Sequence, residues 1–446
     1  MQARLKMASI SLPDLPKGKE FEEYISAYFQ SAGYYIERNI IERGPEEVLE
    51  LDIIITDYCP SLPQIKLLEV KSGDWGFSDL FKMRGWMDHL NISNGIFIVS
   101  KEKDNIEFFK EKAKKLNIDL ITIPSISESK KALSEIINDS TIEDVDISVW
   151  RFSYWVERNL LHRLNRKKKS HQNIKCFKAL EDYYYELNSG IFFTENIVEK
   201  VYKLYSTFQK YPHISAKTGN ELIGKPFDED YDSMPKNTYE ETYYKCSYND
   251  IQISTFIEHR ARLAILKNAI DYKLYKKAGD ENKIRDLPFL RISGINFEVS
   301  LIDLLPSSFK EGLEKISENK YFHKYPIFWQ WFMWIFGGFI LKDYEEKEYE
   351  FLSQKTGIPI DEVSAALESY QILFPKDDGW FIDLSPKSNI KIMKMFPVPF
   401  MGIGANFRRL IYTGFKEFEN LKLTGDHTLD DLIKWNNLAV QVLKNE

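Results

Sequence analysis

Residues 49–71 read LELDIIITDYCPSLPQIKLLEVK. Two apolar runs, Leu49–Thr56 and Ile65–Lys71, flank a turn rich in proline. Short β-branched runs bounded by turn residues predict strands. Both carry acids in an otherwise apolar context. Side chains alternate across a strand, so Glu50 and Asp52 share one face. In the second run Glu69 and Lys71 share a face, while Leu68 and Val70 point the other way. If the strands are neighbours, Asp52, Glu69 and Lys71 converge. Burying three ionisable groups in a core sheet is costly without partners. A cation would satisfy the two carboxylates, and hard oxygen ligands suit magnesium or manganese completed by waters.

The flanking segments extend the pattern. After Pro16, the residues Phe21, Tyr24, Ile25, Tyr28 and Phe29 recur at helical spacing, and Gly33 ends the helix. Tyr34–Ile41 reads as a strand and Gly76–Leu90 as a helix. Gly95–Ser100 reads as a buried strand, Lys101–Leu116 as a charged helix and Ile118–Ile123 as a last strand. The order α-β-β-β-α-β-α-β predicts an α/β fold, a mixed sheet flanked by helices.

The converging triad suits phosphodiester hydrolysis. A metal there would polarise a phosphoryl oxygen and lower the pKa of a bound water. Lys71 would orient that water or stabilise charge developing in the transition state. A bare E-x-K occurs by chance in most chains of this length, so the upstream acid and the element order carry the weight.

On these residues the chain resembles the PD-(D/E)XK nuclease superfamily, in its restriction-endonuclease-like, Mrr-type branch. The matching positions are Gly18-Lys19-Glu20-Phe21-Glu22, Glu50-Leu51-Asp52 and Glu69-Val70-Lys71, within residues 17–123. The resemblance implies that Asp52 and Glu69 bind Mg2+ or Mn2+ with the Val70 backbone carbonyl. It implies that Lys71 is the catalytic lysine and that Glu22 supports the metal through water. The resemblance also implies a Gln or Lys facing the site from the following helix, for which Lys82 and Arg84 are a loose match and candidate nucleic-acid contacts. Leu51 stands where the family name has proline. Glu22 lies about 100° from Phe21 on the helical wheel, and Glu23 lies further round toward solvent. A solvated helix face accounts for both as readily as catalysis does.

Beyond Ser125 the pattern turns mostly helical. Residues 126–320 read as a middle domain, with helices at Ser148–Leu164, Phe177–Leu187, Glu195–Lys210 and Phe256–Lys277, and an irregular insertion at Gly219–Asn249. Its segment 163–178 is basic, with Arg163, Arg166, Lys167, Lys168, Lys169, Lys175 and Lys178. Such a run either neutralises phosphates or forms a solvated loop. Arg166 to His171 has the R-x4-H spacing that resembles the active motif of HEPN ribonucleases, but in a stretch that reads as a loop.

Residues 321–446 form a third region. Tyr349–Lys355, a Gly357-Ile358-Pro359 turn and Asp361–Tyr370 read as two helices, with Val363, Ala366, Leu367 and Tyr370 facing inward. A hairpin of Ile372-Leu373-Phe374 and Trp380-Phe381-Ile382 would complete a winged helix-turn-helix over about 345–395. The second helix exposes Asp361, Glu362, Ser364 and Glu368 and no basic residue, which disfavours direct readout of DNA. Gly402-Ile403-Gly404 lacks a third glycine and reads as a turn, not a nucleotide fingerprint.

The chain has 446 residues, 60 basic and 67 acidic, for a formal charge of −7. That balance disfavours non-specific coating of nucleic acid but allows a local basic groove. Cys59, Cys176 and Cys246 form no C-x-x-C pair, and the seven histidines form no H-x3-H pair, so neither a disulfide framework nor a zinc site is legible. Tyr325–Leu341, YPIFWQWFMWIFGGFIL, is short for a bilayer span and holds Gln330, so it reads as a buried helix. The expectation is a soluble cytoplasmic protein without membrane contact. It would be a metal-dependent endonuclease acting on DNA rather than RNA, in restriction or anti-phage defence, with a homodimer or a partner protein formed through the C-terminal region. The competing reading is an inactive nuclease fold that regulates through its winged helix.

Overall fold

The computed structural model describes residues 13–43, 47–60, 62–137, 142–170, 213–216, 222–225, 248–279, 307–375, 379–383, 387–393, 396–412, 420–424, 427–431 and 433–434. Helix α1 (Lys19–Ser31) leads into strands β1 (Tyr35–Arg43), β2 (Glu47–Asp57) and β3 (Gln64–Lys71). Then follow α2 (Phe77–Leu90), β4 (Asn94–Val99), α3 (Ile106–Lys115) and β5 (Ile118–Thr122). The five strands form one sheet in sequence order. β1, β2 and β3 pair antiparallel, whereas β3, β4 and β5 pair parallel through the helical crossovers α2 and α3. Central strands buried on both faces read as continuous apolar runs, which made Ile53–Ile55 and Ile96–Val99 visible in the sequence.

The rest of the chain closes the β1 edge. Helices α4 (Ser129–Leu133) and α5 (Asp144–Ser170) follow the sheet, and α5 packs on α1. A strand pair β6 (His213–Ala216) and β7 (Leu222–Lys225) precedes the long helix α6 (Tyr248–Ala278). Next come α7 (Ser307–Ile316), α8 (Tyr325–Trp334), β8 (Phe339–Leu341), α9 (Glu345–Thr356) and α10 (Val363–Leu373). The last elements are β9 (Phe381–Asp383), β10 (Ile390–Met393), α11 (Val398–Ile411), β11 (Lys422–Thr424) and β12 (His427–Thr428).

Gln330, the polar residue in the apolar α8, bonds to the β1 backbone as a neighbouring strand would. Its Oε1 accepts the Ile36 N–H at 3.2 Å and its Nε2 donates to the Ile36 carbonyl at 2.9 Å. Covering an edge in this way removes a template for unwanted pairing. Beside it, the buried Lys267 of α6 pairs with Asp271 at 2.8 Å and reaches Glu37 of β1 at 3.5 Å. The Tyr58 hydroxyl donates to Asp271 at 2.6 Å. Lys355 of α9 pairs with Asp146 of α5 at 2.6 Å. Buried polar contacts therefore join the stretches 1–125, 126–320 and 321–446.

Several expectations are corrected. Ile372 and Leu373 belong to α10, not to a hairpin, because Leu373 continues the buried face of Tyr370. β9 pairs instead with β10, and β8 adds a third strand in the order β8-β10-β9. Of the apolar stretch 325–341, only Tyr325–Trp334 is α-helical; Gly337 and Gly338 turn at φ 73° and 68° into β8. The Gly402–Gly404 motif lies inside α11, not in a turn, and Gly404 lets that helix touch the backbone at Phe336. β7 lies in the stretch expected to be irregular, most of which falls outside the described residues. Among the described residues, no helix is long and apolar enough to cross a membrane.

Candidate active site

The backbone register of β2 and β3 runs from Asp57–Gln64 to Ile53–Leu68. One step further, Asp52 and Glu69 stand opposite each other. There the ladder has ended, and Asp52 Oδ2 accepts the Val70 N–H at 3.1 Å. Glu69 is buried at 3% exposure, and Lys71 Nζ lies 2.6 Å from its Oε1. The three residues that the alternation pointed to are thus brought together on one face of the sheet.

Their electrostatics follow from crowding. Burial, and next the charge of Glu69, push the Asp52 carboxyl up to about 7, against the Val70 N–H and Lys71. Glu69 is raised by burial, with the Lys71 contact opposing. With both acids ionised, Glu69 Oε2 is buried without a hydrogen bond among the described residues. Once Asp52 is protonated, its hydroxyl donates to Glu69. For Lys71, burial alone would lower the pKa, but the Glu69 hydrogen bond and the charges of Glu69 and Asp52 raise it.

The rim comes from α1. Gly18, at φ 53°, starts that helix, and its N–H donates to Ser72 Oγ at 2.8 Å. This bond ties the helix start to the end of β3. Glu22 on the first turn is raised by burial and by the field of Asp52, so it faces the carboxylate pair. Lys19 Nζ bridges Glu22 and Glu50, each at 3.2 Å, and donates to Asn39 Oδ1 at 2.9 Å. Glu50 is exposed at the outer end of the site. The sequence assigns Lys19 no role. Its position three residues before Glu22, one helical turn away, is the signal that could have marked it. Glu23 does not face solvent. It is 5% exposed because α5 covers that flank of α1, and Arg158 pairs with it at 3.1 Å.

Among the residues proposed for nucleic acid, Lys82 is exposed, sits 4.3 Å over the Trp86 ring, and its charge is felt by Glu69. Arg84 is committed elsewhere, to Asp88 and at 3.2 Å to the Leu116 carbonyl. The backbone of Arg166, Lys167, Lys168 and Lys169 is helical, since α5 runs to Ser170; that stretch is not the expected loop. Their side chains, with His171, Lys175 and Lys178, lie outside the described residues.

Among the described residues, no three His, Cys, Asp or Glu side chains group to hold a metal ion. Asp52 and Glu69 are a pair. Their fit to a hard divalent cation rests on the unbonded buried Oε2 and on a proton that burial, and next the charge of Glu69, retain on Asp52 to about neutrality. Comparison of the chain with protein-family models, with curated proteins and with solved structures finds no match.

Proposed function

We propose that this protein is a metal-dependent nuclease that hydrolyses phosphodiester bonds, in DNA rather than RNA. The observation that carries the reading is the buried Asp52–Glu69 pair with Lys71 2.6 Å from Glu69. Mg2+ or Mn2+ would be held by Asp52 and Glu69, with the Val70 carbonyl completing the protein ligands. Bound there, the metal would polarise a phosphoryl oxygen and acidify a water. Asp52 would have to give up its proton to hold the cation. Lys71, its pKa raised, stays an ammonium, so it stabilises developing charge and is not a general base. Glu22 and Lys19 set the rim, and Lys82 offers a phosphate contact.

α9, the left-handed Gly357, α10 and the sheet β8-β10-β9 would serve as the parts of a winged helix. Exposed Asp361, Ser364 and Glu368 on and before α10 favour a protein partner or a second copy over DNA for that module. A role in restriction or anti-phage defence, in the cytoplasm, fits a nuclease of this build. The second reading is a regulator with an inactive site. The Lys71–Glu69 contact favours it, because it occupies an oxygen that a metal would need.

The test is cleavage of plasmid DNA and of RNA with magnesium or manganese, using Lys71→Ala and Asp52→Ala. Each substitution is expected to lower the rate at least about 100-fold. Unchanged cleavage in both variants would remove the assignment, and wild-type protein that binds DNA without cutting it would favour the regulator.

A further inference from the structure

The candidate site holds more carboxylates than the Asp52–Glu69 pair. Glu50 shares the face of Asp52 on β2, and Glu22 on α1 feels the charge of Asp52. Two lysines touch these four acids. Lys71 stands 2.6 Å from Glu69, and Lys19 stands 3.2 Å from both Glu22 and Glu50. The charge of Lys19 reaches Asp52 as well.

Lys19 is not held as an ordinary surface lysine. Exposed ion pairs are loose and contribute little. An ammonium has three N–H donors, and that of Lys19 meets three oxygens: those of Glu22 and Glu50 and, at 2.9 Å, Asn39 Oδ1. Asn39 lies in the middle of β1 with φ 52°, the left-handed region that a strand residue other than glycine rarely enters. The register passes from Arg38–Ile53 to Ile40–Leu51, which sets Asn39 opposite Asp52. The one left-handed residue of β1 thus falls beside the inner carboxylates and gives its side chain to Lys19. Backbone strain of this kind clusters at functional sites. On the other side, the Gly18 N–H bonds to Ser72 Oγ, which fixes the backbone at Lys19 relative to Glu69 and Lys71.

Two carboxylates and an amide oxygen are also a donor set for a hard cation. In two-metal sites a second cation held by such oxygens stabilises an oxygen of the phosphate under attack. Here that place is filled by an ammonium. The inner place is open: with both acids ionised, the buried Glu69 Oε2 has no hydrogen-bond partner among the described residues. Charge gives the same count. Four carboxylates and two ammoniums leave two negative charges, which one divalent cation neutralises; a second would overshoot to two positive charges.

We propose that the Lys19 ammonium takes the place of a second divalent cation, so that the site binds one metal ion and not two. The proposal rests on the nuclease reading and adds the metal count to it. Lys19 is half exposed, which leaves its charge open to a phosphate on the solvent side.

The experiment counts Mn2+ bound per full chain by equilibrium dialysis. The wild type should bind one ion, lost in Asp52→Ala. Lys19→Met should bind two, and the second should be lost again when Glu50→Gln is added. Lys19→Arg, which keeps the charge, should hold the count at one. Lys19→Gln repeats the uncharged variant, and thermal melts without metal check that each chain folds. A wild type that takes two Mn2+, or folded Lys19→Met and Lys19→Gln chains that still take one at saturation, overturns the proposal and leaves the nuclease reading standing. A wild type that takes none removes both.

Discussion

Asp52 carries the most consequential proton in the molecule. Its carboxyl is held at about 7 in the folded chain, well above an ordinary aspartate. Between about pH 4 and pH 7 the unfolded chain loses this proton while the folded chain keeps it. Stability of the metal-free protein should therefore fall as pH rises through that window, by a few kcal/mol at most. Asp52→Asn should flatten the fall, which urea melts from pH 5 to pH 8 will show. Because a cation must displace the same proton, the affinity for manganese should rise over that interval, a trend that titration calorimetry can follow. A second residue-scale prediction concerns Arg408 and Glu348, both fully buried. Arg408→Met leaves the carboxylate uncompensated and should cost roughly 3–5 kcal/mol. The double change with Glu348→Leu should recover much of that in denaturant melts.

At the scale of elements, Gly404 fixes how close α11 comes to the loop before β8. A Cβ there would lie 2.2 Å from the Phe336 carbonyl oxygen, which is backbone and cannot swing aside. Gly404→Ala should lower the melting temperature, at a cost of at least about 1–3 kcal/mol. The same contact explains a misreading: a glycine pair read as a turn was there for close helix packing, which local sequence does not announce. Most elements of the first 125 residues were legible because the central strands β2 to β5 and helix α1 carry clean apolar runs or stripes. Asp52, Glu69 and Lys71 stood out because they interrupt such runs. Glu23 did not, because its burial depends on α5, more than 100 residues away. The strand Phe339–Leu341 was hidden in a stretch that, Gln330 apart, is apolar from Tyr325, where burial on all sides erases periodicity. Ile372 and Leu373 suit a strand by composition, and the tertiary packing of Leu373 overrides that preference.

At the scale of the whole molecule, the net charge of −7 did not decide the partner. Lys19, Lys71 and Lys82 flank the carboxylates, so duplex DNA should bind with a shallow salt dependence. A log–log slope of about −3 is expected for three neutralised phosphates. A slope near −6 would instead bring the basic run at 163–178 onto the backbone. The sheet is also not self-sufficient. A fragment of residues 1–125 lacks Gln330, Lys267 and α5, leaving β1 as a bare edge. Size-exclusion chromatography should find it self-associated, whereas the full chain should not associate through that edge. Gln330 also provides a clock. The Ile36 amide proton can exchange with solvent deuterium only when its side-chain acceptor on α8 moves away. The protection of that one amide therefore sets a lower bound on the free energy of lifting α8 off the sheet, and it would report whether bound nucleic acid makes that opening rarer.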